Sequence, residues 1–166
     1  MMNPIITAEK LRSVLHYNPD TGVFMWITSG SGRRIGVPAG SHDQDGYIRI
    51  VVLGREYRAA RLAWLYMTGE WPPDEVDHRN LVKSDNVWTN LRAATKTQNQ
   101  ANRTAHRDNK SGLKGVGWDT QARKWRASIN ANHKTHNLGN FDCPAAAHFA
   151  YIIAADKAFG EFARAR

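Results

Sequence analysis

Apolar residues along this chain of 166 residues fall into short runs with two different spacings. Thr7 stands where a helix cap belongs, and Leu11 and Leu15 follow four apart, so the pattern opens with a short helix. Asn18-Pro19-Asp20-Thr21-Gly22 has the composition of a turn, and Val23 to Ile27 is an unbroken apolar strand. Residues 29–46 lose the pattern. Rich in Gly and Ser and carrying Arg33 and Arg34, they read as a long loop, either mobile or ordered by a ligand. Tyr47 to Leu53 alternates as a strand does, Gly54 supplies a turn, and Glu56 to Arg58 runs back. Helical spacing returns at Ala59 to Met67, burying Leu62, Leu65 and Tyr66. Gly69 and Trp71-Pro72-Pro73 stop that helix.

The pattern lapses again between Arg103 and Gly112, which are polar and basic; residues 106–112 read as a linker. A first region, 1–105, is thereby set apart from a C-terminal module, 111–166. In that module Val116 to Trp118, Trp125 to Asn130 and Thr135 to Phe141 read as three strands, and Ala145 to Phe159 as a helix. The predicted fold class is α+β. A helix and hairpins come first, a strand–loop–strand–helix core lies at the centre, and a three-stranded sheet packed on one helix ends the chain.

Charge adds a class of partner. Lys and Arg outnumber Asp and Glu by 23 to 15, a formal net charge of +8 at pH 7. Such a balance favours a polyanion, nucleic acid first and acidic membrane second. The apolar runs Leu62 to Met67 and Ala145 to Ala155, the latter broken by His148, are shorter than the roughly 18–20 residues of a membrane span. No basic segment followed by an apolar stretch opens the chain, so export is not expected and the cytoplasm is the expected location. Cys143 is the single cysteine, which excludes an internal disulfide and a four-thiolate zinc site.

Candidate chemistry concentrates between residues 75 and 105. Glu75-Val76-Asp77-His78 reads as a short strand ending in an acid–histidine pair, and Asn90 follows in Trp88-Thr89-Asn90-Leu91-Arg92. Thr95 and Gln98 form a capping box that places Asn99 in the first turns of a helix. If that helix packs across the hairpin, Asp77, His78 and Asn99 meet. A carboxylate and an amide oxygen are hard ligands suited to Mg²⁺ or Mn²⁺. A histidine with an ordinary pKa of about 6.5 can take a proton from water. Taken alone, an acid beside a histidine is more often an ordinary structural contact.

The order of these residues carries more information than their spacing. Val76-Asp77-His78-Arg79-Asn80, then Asp85 to Arg92, then Thr95 to Asn99, resembles an HNH endonuclease of the phage and homing type. The resemblance covers about residues 45–103 and implies a ββα-metal core. It also implies His78 as general base, Asp77 and Asn99 as ligands of one Mg²⁺ or Mn²⁺ ion, and Asn90 as the residue that holds the base. Tyr57 to Trp64 is similar to the helix that precedes such a site, with one departure. That family commonly has a histidine before Arg-Leu-Ala-Trp, and this chain has Ala60, by natural loss or by deliberate replacement.

The C-terminal module resembles the Apetala/ethylene-response-factor domain. The resemblance rests on Gly112 to Trp118, Lys124 to Ile129, Leu138 to Phe141 and the alanine-rich helix. It implies a three-stranded sheet laid in the major groove of double-stranded DNA, with Lys114, Arg126, Ser128, Asn130, Thr135 and Asn137 at sheet positions and Trp118 and Arg123 near them. Trp125, Ile129, Leu138 and Phe141 are read as core. His133, His136, Cys143 and His148 fit no zinc-finger spacing, so no structural zinc is expected. Arg33 and Arg34 are either phosphate contacts or a solvated pair. Together the two resemblances imply a metal-dependent DNA endonuclease, phage-encoded or of a bacterial-type host, with nicking as one mode. The rival is a non-catalytic DNA-binding regulator built on a degenerate nuclease core.

Overall fold

In the computed structural model, which describes residues 6–30, 33–102, 108–131 and 134–163, helix α1 (Ala8–Arg12) begins where Thr7 predicts it. The Thr7 hydroxyl accepts the Lys10 N–H at 3.2 Å. The helix stops at Ser13, however, and Leu15 heads a strand, β1 (Leu15–Tyr17), antiparallel to β2 (Phe24–Trp26). The predicted helical pair Leu11–Leu15 is therefore corrected to a helix residue and a strand residue. The cause is the turn between the strands. Asn18 Oδ1 accepts the N–H groups of Asp20 and Thr21, Gly22 closes the turn at φ 72°, and the hairpin needs residues 15–17 extended.

The glycine-rich stretch is partly paired rather than open. Pro38 bridges Met25, and β3 (Ser41–His42) lies beside β4 (Ile48–Val52). Leu53 and Gly54, both at positive φ, turn β4 into β5 (Arg55–Arg58), which runs directly into α2 (Ala59–Thr68). Gly69, at φ 84°, caps α2 by donating its N–H to the Leu65 carbonyl. Next come β6 (Glu75–His78), a loop with a 3-10 turn at Trp88–Asn90, and β7 (Leu91–Ala94), antiparallel to β6. Leu11, Leu15, Tyr17, Phe24, Ile50, Val52, Leu62 and Leu65 are the largest fully buried side chains of this core. Each fully buried aliphatic or aromatic side chain contributes about 1.5–3 kcal/mol. These elements form the first of two compact units, residues 1–94.

The second unit, 95–166, opens with α3 (Lys96–Asn102). Its capping box forms as predicted, with Thr95 Oγ1 accepting from the Gln98 N–H and Gln98 Oε1 from the Thr95 N–H. The division falls at 94/95 rather than within 106–112, because α3 packs on α4 (Pro144–Phe159) and on the 3-10 turn that follows it. Residues 106 and 107 of the predicted linker lie outside the described residues. The remainder is a braced turn: Asn109 Nδ2 donates to the Leu113 carbonyl and the Ser111 hydroxyl to that of Val116. β8 (Val116–Asp119), β9 (Lys124–Ala131) and β10 (Lys134–Phe141) form an antiparallel sheet in the order β10-β9-β8. Ala127 and Ile129 pack with Ala147, Tyr151 and Ala155 of α4, giving the three strands and one helix expected. No helix among the described residues is long and apolar enough to cross a membrane.

Gly22 shows how tightly the first unit is closed. A Cβ there would lie 2.4 Å from the backbone carbon of Asn86 and from the nitrogen of Val87. Gly22→Ala is expected to lower the unfolding free energy by about 2–3 kcal/mol. Urea unfolding followed by tryptophan fluorescence measures this. A loss below about 0.5 kcal/mol would mean that the Asn86 segment moves aside without penalty.

Candidate active site

Adjacent residues on a strand point to opposite faces, so β6 sends Asp77 one way and His78 the other. Both are only 4% exposed. Asp77 sits opposite Arg92 in the β6–β7 register, and opposed residues share a face. Arg92 donates from Nε and from Nη2 to Asp77 Oδ2, both at 2.9 Å. Removing one partner of such a buried pair leaves an uncompensated charge and costs about 3–5 kcal/mol.

On the other face, His78 Nε2 lies 3.3 Å from Asn86 Oδ1. The Asn86 amide nitrogen donates to the Ser84 carbonyl, which orients its oxygen toward the ring. Tyr17 OH donates to the Asn86 main-chain carbonyl at 2.6 Å and holds the residue from the core side. With an acceptor at Nε2, the neutral imidazole carries its hydrogen there and its lone pair on Nδ1. Burial holds the His78 pKa below its ordinary 6.5; Asn86, Asp77 and Asp85 act against that shift, and Arg58 adds to it.

The side chain at the imidazole is thus Asn86, which lies within the Asp85 to Arg92 stretch. Asn90, expected to hold the base, has another task. Its Oδ1 accepts the Asn80 N–H and its Nδ2 donates to the Asp85 carbonyl, pinning the loop that carries Asn86. Nothing in the local sequence separates the two asparagines; the core hydroxyl of Tyr17 does. Asn99 lies in α3, in the second unit, where its N–H bonds the Thr95 carbonyl.

His78 opens onto a cavity of about 240 Å³ whose lining includes Tyr47, Arg58, Ala60, Arg61 and Glu75. Ala60, in the first turn of α2, therefore borders the space beside His78. An imidazole at position 60 would enter that space.

Register sorts the proposed DNA-contacting residues. Arg126 opposes Asn140, Ser128 opposes Asn137, and Asn130 opposes Thr135, on the face turned away from Ala127 and Ile129. Asn140 joins this polar face because the register shifts between Asn137 and Gly139, an irregularity that sequence alternation does not disclose. Two expectations are corrected. Lys114 precedes β8 and is not a sheet residue, its ammonium donating to the Ala101 carbonyl of α3. Trp118 opposes Trp125 and meets it edge to face at 5.1 Å, so it stands on the helix side of the sheet, at its open end and 51% exposed. Arg123 lies in the exposed β8–β9 turn at φ 51°. In the first unit Arg33 stacks over Trp26 at 4.7 Å, and Arg34 is exposed beside it. His148 Nδ1 lies 3.0 Å from the Lys114 carbonyl, His136 is exposed on β10, and His133 lies outside the described residues. Among the described residues no group of three or more His, Cys, Asp or Glu side chains is placed to hold a metal ion.

An acid–histidine pair on the first strand of a buried hairpin, with a helix next in the chain, is the arrangement of an HNH domain, and the HNH endonuclease family model matches residues 57–101. The chain thus carries an HNH endonuclease domain. Protein 3.8 of Escherichia phage T7 is 31% identical over 91 residues, which span 55% of this chain and 74% of the phage protein. An uncharacterized HNH endonuclease of Acanthamoeba polyphaga mimivirus is 31% identical over 121 residues, 72% of this chain and 62% of that one. A solved structure of the HNH homing endonuclease I-HmuI, concerned with DNA binding and cleavage, is 27% identical with a TM-score of 0.43. It covers 54% of this chain and 51% of its own.

The depressed pKa of His78 makes stability depend on pH. The folded chain binds this proton less readily than the unfolded chain. The contribution of the neutral ring is therefore fully present above pH 6.5 and is lost as pH falls below it. His78→Gln is expected to reduce the decline in unfolding free energy below pH 6.5, measured by urea melts at a series of pH values. Parallel declines in the two proteins would contradict a buried, neutral imidazole.

Proposed function

We propose that this chain is a divalent-metal-dependent endonuclease that hydrolyses phosphodiester bonds in double-stranded DNA. The observation that carries the reading is the buried Asp77–His78 pair, whose imidazole is kept neutral and opens onto a cavity bordered by cations. His78 takes the proton of the attacking water at Nδ1 while Asn86 holds Nε2–H. The water oxygen bonds to phosphorus in line with the departing sugar oxygen, and the P–O bond to that oxygen breaks. Asn90 acts one step back, by fixing the loop.

The donor set suits a hard cation. Asp77 offers a carboxylate oxygen and Asn99 an amide oxygen, each a donor type that would suit Mg²⁺ or Mn²⁺. When bound, such an ion offsets the charge that builds on the phosphate and leaving oxygens.

The module from residue 111 onward supplies DNA affinity in this reading. Arg126, Ser128, Asn130, Thr135 and Asn137 lie on the open face of its sheet, with Arg123 in the turn at one end, and Arg33 and Arg34 add phosphate contacts from the first unit. The site of action is DNA in the cytoplasm of a phage-infected or bacterial-type host. Ala60 favours a second reading, a DNA-binding regulator with a weakened nuclease core, because it leaves open the space beside His78 that an imidazole would fill.

Two measurements test the proposal. In single-turnover cleavage of plasmid DNA with Mg²⁺ or Mn²⁺, His78→Ala is expected to lose about 10²–10⁴ in rate while DNA affinity stays within a few-fold, and EDTA is expected to abolish cleavage. Unchanged cleavage by His78→Ala would remove it as the base; no cleavage by the unsubstituted chain with either metal would favour the regulator. Ala60→His is expected to raise the rate tenfold or more, about 1.4 kcal/mol of transition-state stabilisation. Equal rates in a duplex assay at saturating Mg²⁺ would make Ala60 neutral.

A further inference from the structure

The cavity beside His78 has a cationic wall that the water-activation chemistry leaves unused. Its base is Tyr47, set just before β4 by two bonds to Asp43: the Asp43 N–H donates to the Tyr47 carbonyl at 2.8 Å, and the Tyr47 N–H to Asp43 Oδ1 at 2.9 Å. The guanidinium of Arg58 lies over the Tyr47 ring, 4.0 Å from its centroid, and the ammonium of Lys83 lies 4.9 Å from the same centroid. Lys83 is steadied by donating to the Asp45 carbonyl at 2.9 Å. Arg58 is both the last residue of β5 and the N-cap of α2, so its backbone is held from both sides.

Three arginines of this unit spend their donors on the protein. Arg49 pairs with Asp43 and Glu56, Arg92 with Asp77, and Arg61 donates to the Asp74 carbonyl. Arg58 differs. Among the described residues it enters no ion pair, and cation–π attraction to Tyr47 holds it without consuming any of its five N–H donors. Glu75, on the same lining, is outweighed by Arg58 and Arg61, and Lys83 stands at the Tyr47 ring. A planar, permanently charged fork at the rim of a cavity is suited to the paired oxygens of a phosphodiester.

We propose that Arg58, seated on Tyr47 and backed by Lys83, binds a non-bridging oxygen of the scissile phosphodiester in this cavity. This assignment rests on the nuclease reading and names the residue that presents the phosphorus to the water held by His78. Arg58 touches the substrate and is catalytic in that sense, whereas Tyr47 is a positioning residue.

The test uses the full chain with ¹⁵N-labelled arginine and dithymidine monophosphate as the probe. The Arg58 Nε–Hε resonance, assigned by its loss in Arg58→Ala, is expected to shift saturably, and Tyr47→Leu is expected to weaken that binding at least threefold, a few-fold effect of the size of one exposed cation–π contact. In single-turnover duplex cleavage, Arg58→Ala is expected to fall by about 10²–10³ at saturating protein, with duplex affinity within about threefold and partial recovery in Arg58→Lys. Thermal melts show that the variants compared are folded. An Arg58 resonance unmoved by the probe would overturn the site. So would wild-type cleavage by folded Arg58→Ala. A wild-type chain that cuts no DNA, yet whose Arg58 resonance shifts, would overturn the nuclease reading and uphold the phosphodiester site.

Discussion

The carboxylate of Asp77 is buried because the guanidinium of Arg92 is buried beside it, and that pair ties β6 to β7 in one register. Neither charge survives alone in a low-dielectric interior, so the two strands carrying them must meet in one register. Asp77 opposes Arg92 and His78 opposes Leu91. A slip of one residue would exchange the faces of Asp77 and His78 and separate the carboxylate from its guanidinium. The ion pair therefore also sets the direction of the imidazole.

From His78 the constraint passes outward through Asn86 to Tyr17. The Tyr17 ring stands against Phe24 and Tyr66, so the residue holding the site's asparagine is fixed by the same aromatic packing that closes the core. Burial pushes the Tyr17 hydroxyl well above its ordinary range, which keeps it a proton donor to the Asn86 carbonyl at any working pH. Rigidity and electrostatics thus share a cause: the apolar mass that orders the loop also keeps His78 neutral.

The second unit solves a smaller problem with smaller parts. Ala127, Ala147 and Ala155 let sheet and helix approach closely, and Tyr151 fills the space beneath Gly115, where a Cβ would clash with the ring. Nearly every apolar group of the sheet is used on the helix side. What remains outside is polar and able to hydrogen-bond: Arg126, Ser128, Asn130, Thr135, Asn137 and Asn140. A face so built presents hydrogen-bond donors and acceptors with no apolar patch among them.

Local chemistry was legible in the sequence wherever a residue acts on neighbours a few positions away. The Thr7 cap, the Asn18–Gly22 turn, the Gly69 stop, the Thr95–Gln98 box and the three C-terminal strands all follow from bonds within one turn or one strand. The Asp77-His78 pair was legible as well, through the ordered set of residues around it. Tertiary structure decided the rest. It moved Leu15 from helix to strand, chose Asn86 over Asn90 at the imidazole, turned Trp118 toward the helix, tied Lys114 to α3, and grouped α3 with α4. The physical reason is distance along the chain. Tyr17 and Asn86 are 69 positions apart, Arg58 reaches Tyr47 only because β4 and β5 pair, and no local pattern encodes which hydroxyl or ring will arrive there.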